Sequence, residues 1–136
     1  VYLADTSAAA RLLISDKFDG QWAPALESGL IALCDLTELE ILYSAKSRAD
    51  REAKKQRLRQ LFNWSATPDG IFARAHEIQQ LLTDHGEHRS AGPVDLVVAA
   101  AAELSDLTLL HYDADFETIA KHTGQRTRWL TEPGTA

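Results

Sequence analysis

Three runs of apolar residues, "VYLA", "LIALC" and "LTLLHY", have the length of strands, and each leads into a segment of helical character. This alternation constrains the fold more than any other feature of the chain. Strands that are apolar throughout have no face to offer water, so they are expected to be covered on both sides. Strands that alternate with helices connect as parallel neighbours, with the helices laid over the two faces. The expectation is an α/β chain, a three-layer α/β/α sandwich around a four- or five-stranded, mainly parallel sheet.

In chain order, Val1–Ala4 reads as a strand and Ser7–Leu13 as the start of a helix. "KFDGQWAPALESG" reads as helical with breaks at Gly20 and Pro24. "LIALC" is the second strand, followed by a helix through "DLTELEILYSAKS" and another over Arg48–Phe62. Pro68 suits a helix start, and Ile71, Ala75, Ile78 and Leu82 lie at helical spacing. Gly86–Gly92 is a polar loop. "PVDLVVAAAAELS" is a helix apolar enough to be buried on most sides. After "LTLLHY" comes a helix that stops at Gly124, and "TRWL" is a last short strand. No linker or repeat divides residues 1–136, so a single domain is expected.

Composition narrows the class. The one cysteine, Cys34, excludes an internal disulfide framework and any multi-cysteine zinc site. It sits in an apolar run and reads as a small buried hydrophobe. No run approaches the roughly 20 apolar residues of a membrane span. Asp5 and Arg11 interrupt the apolar N-terminus, so no signal peptide is expected and the chain reads as cytoplasmic. The net charge of −6 argues against a simple basic nucleic-acid binder. The charge is uneven, however: "AKSRADREAKKQRLRQ" carries seven basic residues against two acidic ones.

The acids cluster where a ligand would bind. In open α/β sheets that place is beyond the carboxyl ends of the strands. Asp5 ends the first strand, Asp113 ends "LTLLHY", and Asp115 follows in the next turn. Asp95 lies in the first turn of the apolar helix. Glu40 lies in a polar stripe with Thr37 and Ser44. Each of the aspartates Asp5, Asp95 and Asp113 has a plain alternative as a helix cap or dipole partner. Together they would repel, and a fold gathers such charges only around something positive. Oxygen donors without cysteine or an obligatory histidine suit Mg2+ or Mn2+.

At these residues the chain resembles a known family, the PIN domain, and within it the VapC-type toxins of toxin–antitoxin pairs. The resemblance rests on "LADTSA" with Asp5, "TELEILYSA" with Glu40, "GPVDLVVAAAAE" with Asp95, and "LLHYDADFETIA" with Asp113 and Asp115. The set covers almost the whole chain in order and spacing. Ser44 stands where many relatives have glycine, a departure that leaves the acids untouched. The resemblance selects Glu40 over Glu38, a choice that periodicity leaves open.

It implies a PIN-like sandwich with a metal-dependent endoribonuclease activity, a VapB-like antitoxin partner and a homodimer. Asp5, Glu40, Asp95 and Asp113 would be catalytic metal ligands. Asp115 would be a further ligand, through water, or the N-cap of its helix. Ser7 would orient a metal-bound water or cap the first helix, and Thr6 would be structural. Two divalent ions about 4 Å apart can clamp an in-line phosphoryl displacement, which fits this donor set.

RNA backbone contacts are expected from His88 and Arg89, which shortly precede Asp95, and from a stripe of Arg51, Lys54, Lys55 and Arg59. The alternative for the stripe is a solvated helix face. The family often attacks structured RNA such as tRNA. His85 and His88 form an H-x-x-H pair without a third ligand, so zinc is not expected there. His111 and the tryptophans Trp22, Trp64 and Trp129 read as packing or interface residues. Two rivals remain: a receiver-like signalling domain with acids at its strand ends, and a catalytically inactive PIN-like module that binds RNA or protein. Mg2+-dependent cutting of RNA separates the nuclease from both.

Overall fold

The computed structural model describes residues 1–136. Five strands and seven helices follow in the order β1 (Tyr2–Ala4), α1 (Thr6–Ile14), α2 (Asp19–Glu27), β2 (Ile31–Cys34), α3 (Asp35–Tyr43), α4 (Arg48–Leu61), β3 (Asn63–Ser65), α5 (Ile71–Asp84), α6 (Pro93–Leu104), β4 (Thr108–His111), α7 (Ala114–Thr123) and β5 (Thr127–Trp129). The sheet order is β3-β2-β1-β4-β5, and every pairing is parallel.

Successive strand side chains point to opposite faces, and this splits the core in two. Leu3, Leu109 and Cys34 face a layer built from Ile78 and Leu82 of α5, the alanine run of α6, and Phe116 and Ile119 of α7. Ala4, Leu110, Ile31 and Leu33 face the other layer, with Ala8 and Leu12 of α1, Trp22 of α2, Ile41 of α3 and Leu58 of α4. Each fully buried leucine or isoleucine contributes about 1.5–3 kcal/mol relative to exposure. The small side chains of α6 let it lie close under the sheet, and Ala99, Ala100 and Ala102 have no exposed surface. Trp22 anchors α2, its indole N–H donating to the Leu130 carbonyl at 2.8 Å.

Several boundaries differ from the sequence expectation. The one strand not expected from the sequence, β3, is an edge strand of only "NWS", with Asn63 and Trp64 exposed and no apolar pattern to announce it. Its register is set by backbone pairing, Ala32 to Asn63 and Leu33 to Trp64. Gly20 and Pro24 do not break α2. In so short a helix Pro24 forfeits one hydrogen bond, and packing of Trp22 outweighs it. Two helices follow β2 as expected, but the first stops short of "SAKS": α3 ends at Tyr43, and Ser47 caps α4 by accepting the Asp50 N–H at 3.0 Å. Pro68 does not open a helix. It lies in the turn before α5, whose N-cap Gly70 takes the left-handed φ of 75°. Gly124 ends α7 as expected, at φ 74°. No helix is long and apolar enough to cross a membrane.

Candidate active site

The strand order reverses between β1 and β4. The chain leaves β1 into α1 on one face of the sheet and leaves β4 into α7 on the other. Two connections departing to opposite faces open a crevice at the carboxyl ends of the strands. Asp5 and Asp113 stand at its two sides because Asp5 directly follows β1 and Asp113 follows β4 after Tyr112 alone.

Asp5 is held from three directions. Its own N–H donates to the Leu110 carbonyl at 3.0 Å, closing the end of β1 onto β4. Its carboxylate accepts the Ala8 N–H at 3.1 Å, which makes Asp5 the N-cap of α1, and the Ser7 hydroxyl at 2.7 Å. The Ser7 oxygen in turn accepts the Tyr112 N–H at 2.8 Å. Ser7 therefore does not cap α1. It ties the first turn of α1 to the end of β4. Asp113 caps α7, accepting the Asp115 N–H at 2.9 Å. The cap of α7 is thus Asp113, not Asp115, and the Asp115 side chain is left free to face the crevice. Pro93 opens α6 and puts Asp95 in its first turn, at the positive end of the helix dipole.

Asp95, Asp113 and Asp115 converge: each offers a carboxylate oxygen, and these atoms lie within 4.8 Å of one another. None of the nine ion pairs of the molecule involves Asp5, Glu40, Asp95, Asp113 or Asp115. Burial raises the pKa of Asp5 above its ordinary value, against the opposing hydrogen bonds from Ser7 and Ala8. Asp95 is pushed up to about 6, first by burial and then by the charges of Asp113 and Asp5. Asp115 is raised by burial and by Asp113. The fold therefore gathers negative charge at a cost and supplies no cation of its own. An all-oxygen donor set of this kind fits a hard divalent cation.

Glu40 stands apart from that trio. It is exposed on α3 and accepts a hydrogen bond from the Thr6 hydroxyl at 2.6 Å. Thr6, read from the sequence as structural, is the residue that connects Glu40 to the Asp5 turn. Its position directly after Asp5, with a hydroxyl, was the available signal. The expected polar stripe around Glu40 is not there. Thr37 is buried with its hydroxyl 3.6 Å from the Cys34 sulfur, and the Ser44 hydroxyl donates to the Ile41 carbonyl. Glu38 turns the other way and pairs with Arg59 at 3.3 Å.

The proposed RNA contacts differ in their surroundings. His88 and Arg89 are exposed in the loop before α6, without side-chain hydrogen bonds. On α4, Lys54 pairs with Asp50 at 2.9 Å, Arg51 with Glu52 at 3.7 Å and Arg59 with Glu38, while Lys55 has no ion-pair partner. His111 is fully buried. Its Nδ1 accepts the Asp113 N–H at 3.1 Å, so its Nε2 carries the proton and donates to Glu117 at 3.0 Å. It fixes the backbone that presents Asp113. His85 stacks on His122 at 4.1 Å and bonds the Leu81 carbonyl, away from any pairing with His88. Of the tryptophans, Trp22 is buried and Trp64 is 63% exposed with its N–H on Asp35.

A doubly wound parallel sheet with an acid crevice at the β1/β4 reversal is the arrangement of the PIN domain, and the chain belongs to that family, whose model matches residues 2–122. Its sequence relatives include Ribonuclease VapC21 of Mycobacterium tuberculosis, 43% identical over 135 residues that span 99% of this chain and 97% of the relative. Two solved structures share the fold at low identity. One is VapBC2 from Rickettsia felis bound to a DNA fragment from their promoter, with TM-score 0.77, 15% identity, and coverage of 94% of this chain and 97% of that one. The other is a toxin–antitoxin complex from Klebsiella pneumoniae, with TM-score 0.71, 22% identity, and coverage of 97% and 99%. The receiver-like alternative gives way to this family membership.

Proposed function

We propose that this chain is an endoribonuclease, the toxin of a VapBC-type toxin–antitoxin pair, that hydrolyses RNA phosphodiester bonds with Mg2+ or Mn2+. The observation that carries the reading is the convergence of Asp95, Asp113 and Asp115 without a cationic partner, beside buried Asp5, at the sheet's reversal point. Asp5, Asp95 and Asp113 are the proposed metal ligands, with Asp115 as a further one and Glu40 reaching the site through Thr6. A divalent cation bound there supplies Lewis acidity toward the phosphoryl oxygens and lowers the pKa of water. The chain's own part is positioning. Asp5 is locked by Ser7, Ala8 and Leu110, and Asp113 by its cap and by His111. A cation held there would compete with the proton of Asp95, whose pKa is pushed up to about 6.

The partner reading rests on the family and on exposed apolar side chains. Leu39 and Tyr43 on α3 are 60% and 93% exposed, and Phe72 on α5 is 66% exposed, apolar side chains available to a VapB-like antitoxin and to a second copy of the chain. An antitoxin arginine inserted among the acids would match a carboxylate pair as a planar fork and compete with the metal.

The test is cleavage of RNA by protein freed of antitoxin. EDTA is expected to abolish cutting, and Mg2+ or Mn2+ to restore it. Products are expected to carry 5′-phosphate and 3′-hydroxyl ends, because water is the nucleophile. Full activity in EDTA with Zn2+ excluded, or 2′,3′-cyclic phosphate ends, would overturn the mechanism.

A further inference from the structure

One cation bridges the turns that follow β1 and β4 and is not spent on an acid. Arg11 lies on α1, one helical turn beyond Ser7, and its side chain runs back toward the helix N-terminus, as helical side chains do. Its Nη1 donates to the Ser7 carbonyl at 2.8 Å, and its guanidinium carbon lies 4.5 Å from the centre of the Tyr112 ring. Tyr112 is the residue between His111 and Asp113, so the group is fixed between the two turns that present Asp5 and Asp113. Nη2 and Nε make no hydrogen bond within the protein, and Arg11 forms no ion pair.

This placement differs from that of the other arginines that could meet substrate. Arg51 and Arg59 on α4 are already paired with carboxylates. Arg89 is exposed and unfastened. Arg11 is half-buried and oriented on two sides, with part of its donor fork open. Stacking on an aromatic face holds a guanidinium without neutralising it. A polyanionic substrate approaching an acid crevice needs a fixed positive contact beside it, and a guanidinium offers phosphate a bidentate one.

Resting on the nuclease reading above, we infer that Arg11 is a substrate-binding residue whose open donors hold an RNA phosphate next to the scissile one. It acts on binding and register, while the acids carry the chemistry.

The test compares wild type, Arg11→Gln and Arg11→Lys, using a short labelled single-stranded RNA in Mg2+. Cleavage kinetics and binding are measured over a series of KCl concentrations, with thermal melts alongside. Arg11→Gln is expected to raise KM about tenfold with kcat held within about threefold, the signature of lost uniform binding. Its log–log salt slope is expected to fall by about 0.7, one phosphate contact on a single strand. Arg11→Lys keeps the charge and loses the fork, so it should recover the slope and only part of the KM. A kcat loss with KM and slope unchanged would make Arg11 a prop for Ser7 and Tyr112 and overturn the inference. So would a fall in melting temperature, shared by both variants, that accounts for the lost activity, and so would unchanged kinetics. In each of these cases wild-type cleavage leaves the nuclease reading standing. A wild type that neither binds nor cuts RNA would sink both.

Discussion

The α4 surface and the β1/β4 crevice are both rich in charge, yet they are built on opposite rules. On α4, acids tie down half of the bases: Asp50 pairs with Lys54, Glu52 with Arg51, and Glu38 of α3 with Arg59, while Arg48, Lys55 and Arg57 extend without ion-pair partners. Beside these pairs lies a groove of about 390 Å³ lined by Leu33, Leu58, Phe62 and Trp64. In the crevice, Asp95, Asp113 and Asp115 face one another with no base among them, Asp5 adds its charge from beside them, and Asp95 is forced up to about pKa 6. Exposed pairs such as those on α4 contribute roughly 0–1 kcal/mol each and are easily replaced. Gathered like charges work against folding, and a protein keeps them only where function requires them. Charge density alone therefore does not mark a site; like charges brought together and partly buried do.

The largest test of this contrast is catalytic. Asp5→Asn, Asp95→Asn and Asp113→Asn are each expected to cut RNA cleavage at least about 10²-fold, on the order of 3 kcal/mol of transition-state stabilisation. Arg59→Gln on α4, measured in the same assay, is expected to stay within about threefold, since its charge is already engaged. Equal losses at both places would erase the distinction between the two regions.

Metal should act on the crevice and leave α4 alone. Saturating Mg2+ at about 100 times its Kd is expected to stabilise wild type by about 2.7 kcal/mol in thermal melts, and far less when Asp95 is asparagine. A gain from Mg2+ that Asp95→Asn leaves intact would place the cation elsewhere.

The metal-free protein should show a matching pH effect. The folded pKa of Asp95 lies above its unfolded value, so the folded state binds a proton more tightly than the unfolded chain does. Lowering the pH from above 6 toward 4 therefore adds stability through this group, and raising the pH through about 6 removes it. Asp5 and Asp115 are raised in the same direction and add to the trend. Melts of wild type and Asp95→Asn in EDTA across this range give the comparison: the variant's melting temperature should depend less on pH. Identical curves would remove Asp95 as the source.

The smallest effects close the series. In EDTA near neutral pH, Asp95→Asn should gain about 1 kcal/mol, with several degrees in melting temperature for a domain of this size. The value is modest because water screens the half-buried site and the lost carboxylate also served the α6 dipole. Lys54→Gln on α4 should lose only about 0.3–0.5 kcal/mol, the usual worth of an i,i+4 pair on a helix surface. A larger loss from Lys54→Gln than gain from Asp95→Asn would invert the contrast between the regions.

Much of the fold was legible because its signals are local. "LTLLHY" and "LIALC" read as buried strands from composition, and Ile71, Ala75, Ile78 and Leu82 predicted the buried stripe of α5 from spacing alone. Gly124 announced the end of α7. The acids could be named because each follows a strand or opens a helix. What escaped was set by partners far away in the chain. β3 has no pattern of its own and exists through its pairing with β2. Thr6 looked structural because Glu40, its partner, is 34 residues away. Asp115 was open between capping and facing the crevice until the Asp113 carboxylate took the Asp115 N–H.

By itself the sequence determined the layered α/β class and the supply of carboxylates at strand ends, since residue period and composition dictate which segments bury two faces and which begin helices. Only the tertiary structure decided that the order reverses between β1 and β4, that Asp95, Asp113 and Asp115 meet while Glu40 stands apart and accepts from Thr6, and that Arg59 is spent on Glu38 while Arg11 has no ion-pair partner. The physical reason is that a side chain's partner depends on its direction and on which elements pack beside it. Packing brings together residues that no local period connects.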